Sequence, residues 1–274
     1  MNTTSAAGTQ LATSADGTPI AYEVHGSGPV LVLVDGALCY RGMGPSADLS
    51  EALRSSFTVV SYDRRGRGES GPGSTPYAVE REVEDLVALI EATGGRAHVL
   101  GVSSGAVLAL EAARRGAPID RLVCYEAPFV LDGSHPATAP GFTEHVQRLV
   151  DDGHRGAAVS AFMRLVGVPA PFRLLMRVLP VWGKVTPVAH TLPYDLAMVV
   201  PFQQGGGPLP EGHYTDVQPP VLVVAGGKSP EHMRSAAAAI GAALPHGTVA
   251  TLPGQTHMVR AKVLGPVAAE HLLG

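Results

Sequence analysis

Apolar and polar positions along the 274-residue chain follow two alternating rhythms. Short apolar runs of strand length, bounded by turn residues, occur at 29–35 (PVLVLVD), 57–63 (FTVVSYD), 97–103 (AHVLGVS), 121–130 (RLVCYEAPFV), 219–227 (PPVLVVAGG) and 247–254 (GTVATLPG). Between them lie segments with apolar residues at helical spacing, at 47–56, 77–95, 104–116 and 229–244, with a last one from about Val263. Two more strands, TQLATS and IAYEVHG, open the chain and are joined by an ADGT turn. Strands this short and apolar, alternating with helices, predict an α/β fold with a mostly parallel sheet covered by helices on both faces.

The alternation stops between Asp132 and about Val217. Helical spacing there predicts short helices at 142–152, 155–166, 171–180 and 186–200, punctuated by prolines and without a β-rich run. The expected organisation is therefore a core formed by residues 1–132 and 216–274, with a helical cap inserted at 133–215. Bulky apolar residues crowd the cap: Phe162, Met163, Leu165, Phe172, Leu175, Met176, Leu179, Trp182, Leu196 and Met198. At helical spacing these are first the cap's own core. Any that face the turn at 101–106 would suit a mainly apolar small molecule.

Composition narrows the partners. Apolar residues make up 45% and charged residues 16%, enough for a large core, and the formal charge is −4. No basic block exceeds RRGR at 64–67, so nucleic acid is not expected. Seventeen arginines against three lysines, with much alanine and glycine, point to a GC-rich bacterial genome. Cys39 and Cys124 are too few for a zinc site or disulfide framework and fit a reducing compartment. The start lacks the features of a secretory signal, and no apolar stretch approaches the ~20 residues of a membrane helix. A cytoplasmic protein without a membrane partner is expected, with a homodimer left open.

The chemistry concentrates at GVSSGA, residues 101–106. A buried strand turns directly into a helix there, as in a nucleophile elbow, where glycines allow the sharp turn that lifts one side chain above the sheet. Only Ser103 has a glycine two residues before it and another two residues after it, Gly101 and Gly105. Ser104 then opens the helix, with a backbone N–H free to bind an anion. An ordinary turn with serine caps is the plain alternative.

With VLVDGA (32–37), SYDRRGRGES (61–70), GVSSGA and PGQTHMV (253–259), the chain resembles the α/β-hydrolase fold superfamily over nearly its whole length. The resemblance is to the branch of capped bacterial esterases and cofactor-free haloperoxidases. It implies that Ala37 supplies one oxyanion-hole N–H and Ser104 the other, with Asp35 standing where the family commonly has histidine. It implies His257 as the base. Most of the family place an aspartate after the penultimate strand, where this chain has Ser229 beside Lys228. Some relatives use an acid at the tip of the strand after the elbow helix, which here is Glu126. A salt bridge from Glu126 to Arg121 is the plain alternative, and Asp35, Asp132, Asp216 and Glu231 are the competing acids.

Together these imply a serine hydrolase acting on an ester, lactone or thioester through Ser103, His257 and Glu126, with no metal and no organic cofactor. A cyclase, lyase or perhydrolase of secondary metabolism could keep the same triad, and a binding protein without turnover could keep the same scaffold. GRGESG (66–71) fits a dinucleotide motif by spacing alone, but PGSTP follows it and blocks the helix that a pyrophosphate site requires.

Overall fold

The computed structural model describes residues 8–73, 76–205 and 207–274. Residues 1–7, where the secretory-signal question falls, and the centre of the PGSTP segment therefore lie outside the described residues. Among the described residues, eight strands form one sheet in the order β1-β2-β4-β3-β5-β6-β7-β8. They are β1 (Gln10–Thr13), β2 (Pro19–Gly26), β3 (Val30–Val34), β4 (Thr58–Tyr62), β5 (Ala97–Val102), β6 (Ile119–Tyr125), β7 (Val221–Gly226) and β8 (Gly247–Leu252). Strand β2 runs antiparallel to β1 and β4; from β4 to β8 every neighbouring pair is parallel.

Alternation along the strands explains the layers. Val32 and Val34 face one side of the sheet with Val99 and Val223, while Leu31 and Leu33 face the other with Leu100 and Val224. The first side is covered by α2 (Val79–Ala92), α3 (Ser104–Arg114) and α9 (Glu231–Ala243). The second is covered by α1 (Ser46–Leu53) and α10 (Ala261–Leu273). A strand buried on both faces reads as a continuous apolar run, which is how these strands stand out in the sequence.

The order places the site. From β3 the chain goes to β4 on one side, then crosses back to β5 on the other. The connections leaving β3 and β5 diverge, and the crevice between them at the carboxyl ends is where open α/β sheets bind ligands.

Between β6 and β7 the described residues form α4 (Phe142–Asp151), α5 (Arg155–Leu165), α6 (Ala170–Met176), α7 (Trp182–Val185) and α8 (Leu192–Val199). They share a small core of their own, including Val146, Val159, Met163, Leu192 and Leu196, into which Leu38 of the core packs. The two ends of the insertion are tied together: Val130 N–H donates to Phe202 O at 3.0 Å and Thr138 N–H to Gln203 O at 2.9 Å. The Gln203 amide also donates to Pro128 O at 2.6 Å, and the rings of Phe129 and Phe202 stack at 4.2 Å.

Three expected elements differ in extent. Strand β6 stops at Tyr125, not Val130, because Glu126 takes a positive φ and Pro128 follows. The helix expected at 171–180 ends at Met176, ahead of Pro180. The one expected from 186 starts only at Leu192, after a single 3₁₀ turn at Ala189–Thr191, with Pro193 in its first turn where no donor is missed. Among the described residues, no helix is long and apolar enough to cross a membrane.

Candidate active site

Ser103 sits between β5 and α3 with φ 57° and ψ −124°, a conformation an L-residue rarely adopts. Its neighbours make the turn possible. A Cβ on Gly101 would lie 2.5 Å from Gly105 O, and one on Gly105 would run into the Val34 carbonyl. Ser103 N–H is held by Tyr125 O at 2.8 Å, so the turn is pinned to the adjacent strand. The side chain remains partly exposed, whereas Ser104 is buried.

Among the described residues, the non-glycine residues with positive φ are Leu38 (62°), Ser103 (57°) and Glu126 (51°). They follow β3, β5 and β6, three adjacent strands. Such conformations cost on the order of 1–3 kcal/mol each and persist where the surrounding fold over-determines them, commonly at functional sites.

Glu126 is fully buried, and Oε2 stands 2.8 Å from Nδ1 of His257, which is 44% exposed. Gly226 N–H donates to Oε1 at 2.6 Å, and the Ser229 hydroxyl donates to the same oxygen. Burial pushes the Glu126 carboxyl up, but the hydrogen bonds from His257, Ser229 and the Gly226 N–H outweigh it and hold it below the usual carboxylate range. The residue at the usual acid position, Ser229, thus serves the carboxylate from the next strand. Arg121 instead donates to His271 O, and Asp132 accepts from Ser134. No hydrogen bond joins the Ser103 hydroxyl to the His257 ring among the described residues. Such contacts often tighten only when substrate binds.

The loop after β3 passes beside the elbow: a Cβ on Gly36 would come within 3.0 Å of Ser103 Cβ. Asp35, at the start of this loop, is buried, and neither carboxyl oxygen has a hydrogen-bond partner; the Ser46 hydroxyl stands alongside, outside good geometry. Burial pushes its pKa up to about 6, against the lowering influence of Ser46, Arg67 and Arg64. GRGESG closes as a turn in which Gly66 N–H donates to Gly71 O at 2.8 Å, and the next helix starts only at Val79.

One group of residues was not visible in the sequence. Arg64, Arg67 and Asp195 are all buried. Asp195, from α8, accepts from Arg64 at 2.6 Å, from Arg67 at 2.7 Å and from the Ser104 hydroxyl at 2.7 Å. Arg64 also makes a two-pronged pair with Glu82 at 2.6 and 2.7 Å. Both arginines were visible only as a dense basic cluster. The one available signal was that a charge on a buried element needs a partner.

An apolar groove of about 470 Å³ lies wholly within the insertion, lined by residues including Met163, Val168, Phe172, Leu175 and Leu179. Met163 and Leu196 are indeed insertion core, whereas Phe172, Leu175 and Leu179 are exposed.

Comparison with known proteins agrees with this architecture. The profile described as Alpha/beta hydrolase family matches residues 24–264. The crystal structure of an alpha/beta hydrolase from Sphaerobacter thermophilus superposes with a TM-score of 0.87 at 44% identity, covering 96% of this chain and 99% of that one. An uncharacterized hydrolase of Bacillus subtilis, YraK, is 31% identical over 54% of this chain and 55% of its own length. A putative carbamate hydrolase of Caulobacter segnis, RutD, is 38% identical over 31% of this chain and 34% of its own length. The match thus spans about half of the first of these curated relatives and a third of the second. With a profile match over most of its length and a sheet order that places an elbow at the switch point, the chain belongs to the alpha/beta hydrolase family.

Proposed function

We propose that the protein is a serine hydrolase that cleaves an ester, lactone or thioester of a mainly apolar small molecule. The observation that carries this reading is the strained elbow serine, Ser103, together with the buried carboxylate of Glu126 on the ring of His257. Ser103 Oγ attacks the acyl carbon as His257 Nε2 takes its proton. Glu126 accepts from Nδ1–H, fixes that tautomer and offsets the imidazolium charge. The oxyanion is received by the N–H groups of Ala37 and Ser104, the latter at the positive end of α3. His257 returns the proton to the departing alcohol or thiol. Water, deprotonated by His257, then releases the acid and restores Ser103.

The same addition to a carbonyl serves carbamates, the substrate class in the name of the Caulobacter relative, so carbamates belong in the substrate panel. The decisive test is intact-protein mass spectrometry with a fluorophosphonate and a panel of activated esters. One adduct, mapped to Ser103 and lost in Ser103→Ala, is expected. Labelling that persists in Ser103→Ala would overturn the assignment.

A further inference from the structure

The buried ion cluster touches both halves of the proposed oxyanion hole, although its charged side chains are themselves buried. Arg67 donates through one nitrogen to Gly36 O at 2.7 Å and to Cys39 O at 3.1 Å. Gly36 O belongs to the same peptide group as Ala37 N–H. In a trans peptide the C=O and N–H point in opposite directions. A guanidinium anchored on the carbonyl side therefore turns Ala37 N–H away from the cluster. The loop passes close to Ser103, since a Cβ added to Gly36 would come within 3.0 Å of Ser103 Cβ. A cation on the carbonyl also polarises the peptide and strengthens its N–H as a donor.

The second donor is held from the same group. Ser104 carries its N–H at the first position of α3, and its hydroxyl donates to Asp195 Oδ1. Arg64, which shares that carboxylate oxygen, reaches Asp35 O at 3.3 Å on the other loop. Asp195 comes from α8, within the insertion, 91 residues from Ser104. The neighbouring carboxylate of the core, Glu82, is already engaged by Arg64 and by the Tyr77 hydroxyl at 2.9 Å.

We infer that Asp195 and Arg67 are positioning residues for the oxyanion hole: Asp195 fixes Ser104, Arg67 orients the Gly36–Ala37 peptide, and their ion pair sets the two N–H groups relative to each other. The hole is thus completed by a carboxylate that the insertion supplies. This rests on the proposed Ser103 chemistry, in which those two N–H groups act.

The test uses the full chain, with p-nitrophenyl butyrate as substrate and an alkyl boronic acid as a mimic of the tetrahedral intermediate. Ser104→Ala removes the hydroxyl but keeps the backbone N–H, and Asp195 stays held by both arginines, so the variant is expected to fold. Its kcat should fall about tenfold with KM within about twofold, and boronate affinity should weaken by a similar factor, since only a loosened donor has changed. Ser104→Thr, which keeps a hydroxyl, should recover most of the loss. Asp195→Asn, which weakens both arginine contacts, should lower kcat further. A Ser104→Ala enzyme with kcat within about twofold of the parent, or with its loss confined to KM, overturns the positioning role. If the parent protein takes no phosphonate at Ser103, the functional reading fails and this inference with it. A parent that is labelled, beside an unimpaired Ser104→Ala, overturns the inference alone.

Discussion

Glu126 and His257 meet at 2.8 Å from positions 131 residues apart, with the carboxylate fully enclosed and the imidazole half open to solvent. The carboxylate is shielded from solvent, while the ring keeps an exposed edge. Glu126→Gln keeps the shape and removes the charge that would balance an imidazolium. Turnover of p-nitrophenyl butyrate is expected to fall by ~10³–10⁴ with near-parental thermal stability. Ser229→Ala removes one of the hydrogen bonds to that carboxylate and should cost less than about tenfold. Steady-state kinetics on the two variants check both values, and the reverse order of severity would reassign the acid.

Asp35 predicts a pH dependence with a definite sign. Its pKa is pushed up to about 6 by burial, from an ordinary value of 3.8. The folded protein holds this proton where the unfolded chain has released it, so stability is lost as pH rises through that window and stays lost above it. Asp35→Asn should therefore raise unfolding free energy at pH 8 by up to about 3 kcal/mol and change it little at pH 4. Urea denaturation at the two pH values measures the difference; equal gains at both would show that ionisation of Asp35 is not the cause.

Arg64 bridges Glu82 and Asp195 with all three side chains out of water. Arg64→Met would leave buried Glu82 without a cation and buried Asp195 with Arg67 alone. The expected loss is about 3–5 kcal/mol, read from chemical denaturation. A loss under about 1 kcal/mol, the range of exposed pairs, would mean that water reaches the cluster.

Ala37 and Leu38 pack with the apolar core of the insertion, so the wall beside one proposed oxyanion donor is hydrocarbon. Esters of short aromatic or medium-chain acids should then have higher kcat/KM than acetate esters of polar alcohols. A p-nitrophenyl ester series of increasing acyl length measures this, and a maximum at acetate would contradict it.

Much of this architecture is legible in the sequence because its signals are local. Strands buried on both faces read as apolar runs, and Gly101 and Gly105 single out Ser103 because the turn leaves no space for a Cβ. Glu126 stands out in the sequence only because Ser229 occupies the place where a carboxylate usually stands. The structure adds that Ser229 donates to Glu126. What could not be read is long-range pairing between charges. In the sequence Arg67 is only part of the densest basic cluster; in the structure α8 brings Asp195 to it across 128 residues. Helix limits in the insertion were also hidden, because Pro180 and Pro193 act through local geometry that periodicity does not register.

The hydrogen bonds that tie Val130 to Phe202 and Thr138 to Gln203 make the insertion a closed loop with a narrow neck. A segment attached in this way can be exchanged between homologous chains without rerouting the sheet. Asp195 limits that freedom. A transplanted insertion that lacks a carboxylate at this place would leave Arg64 and Arg67 without a shared counter-charge beneath the nucleophile. Chimeras made at the neck should therefore divide by that one position: those that carry the acid fold and turn over substrate, and those that lack it need the arginines replaced as well.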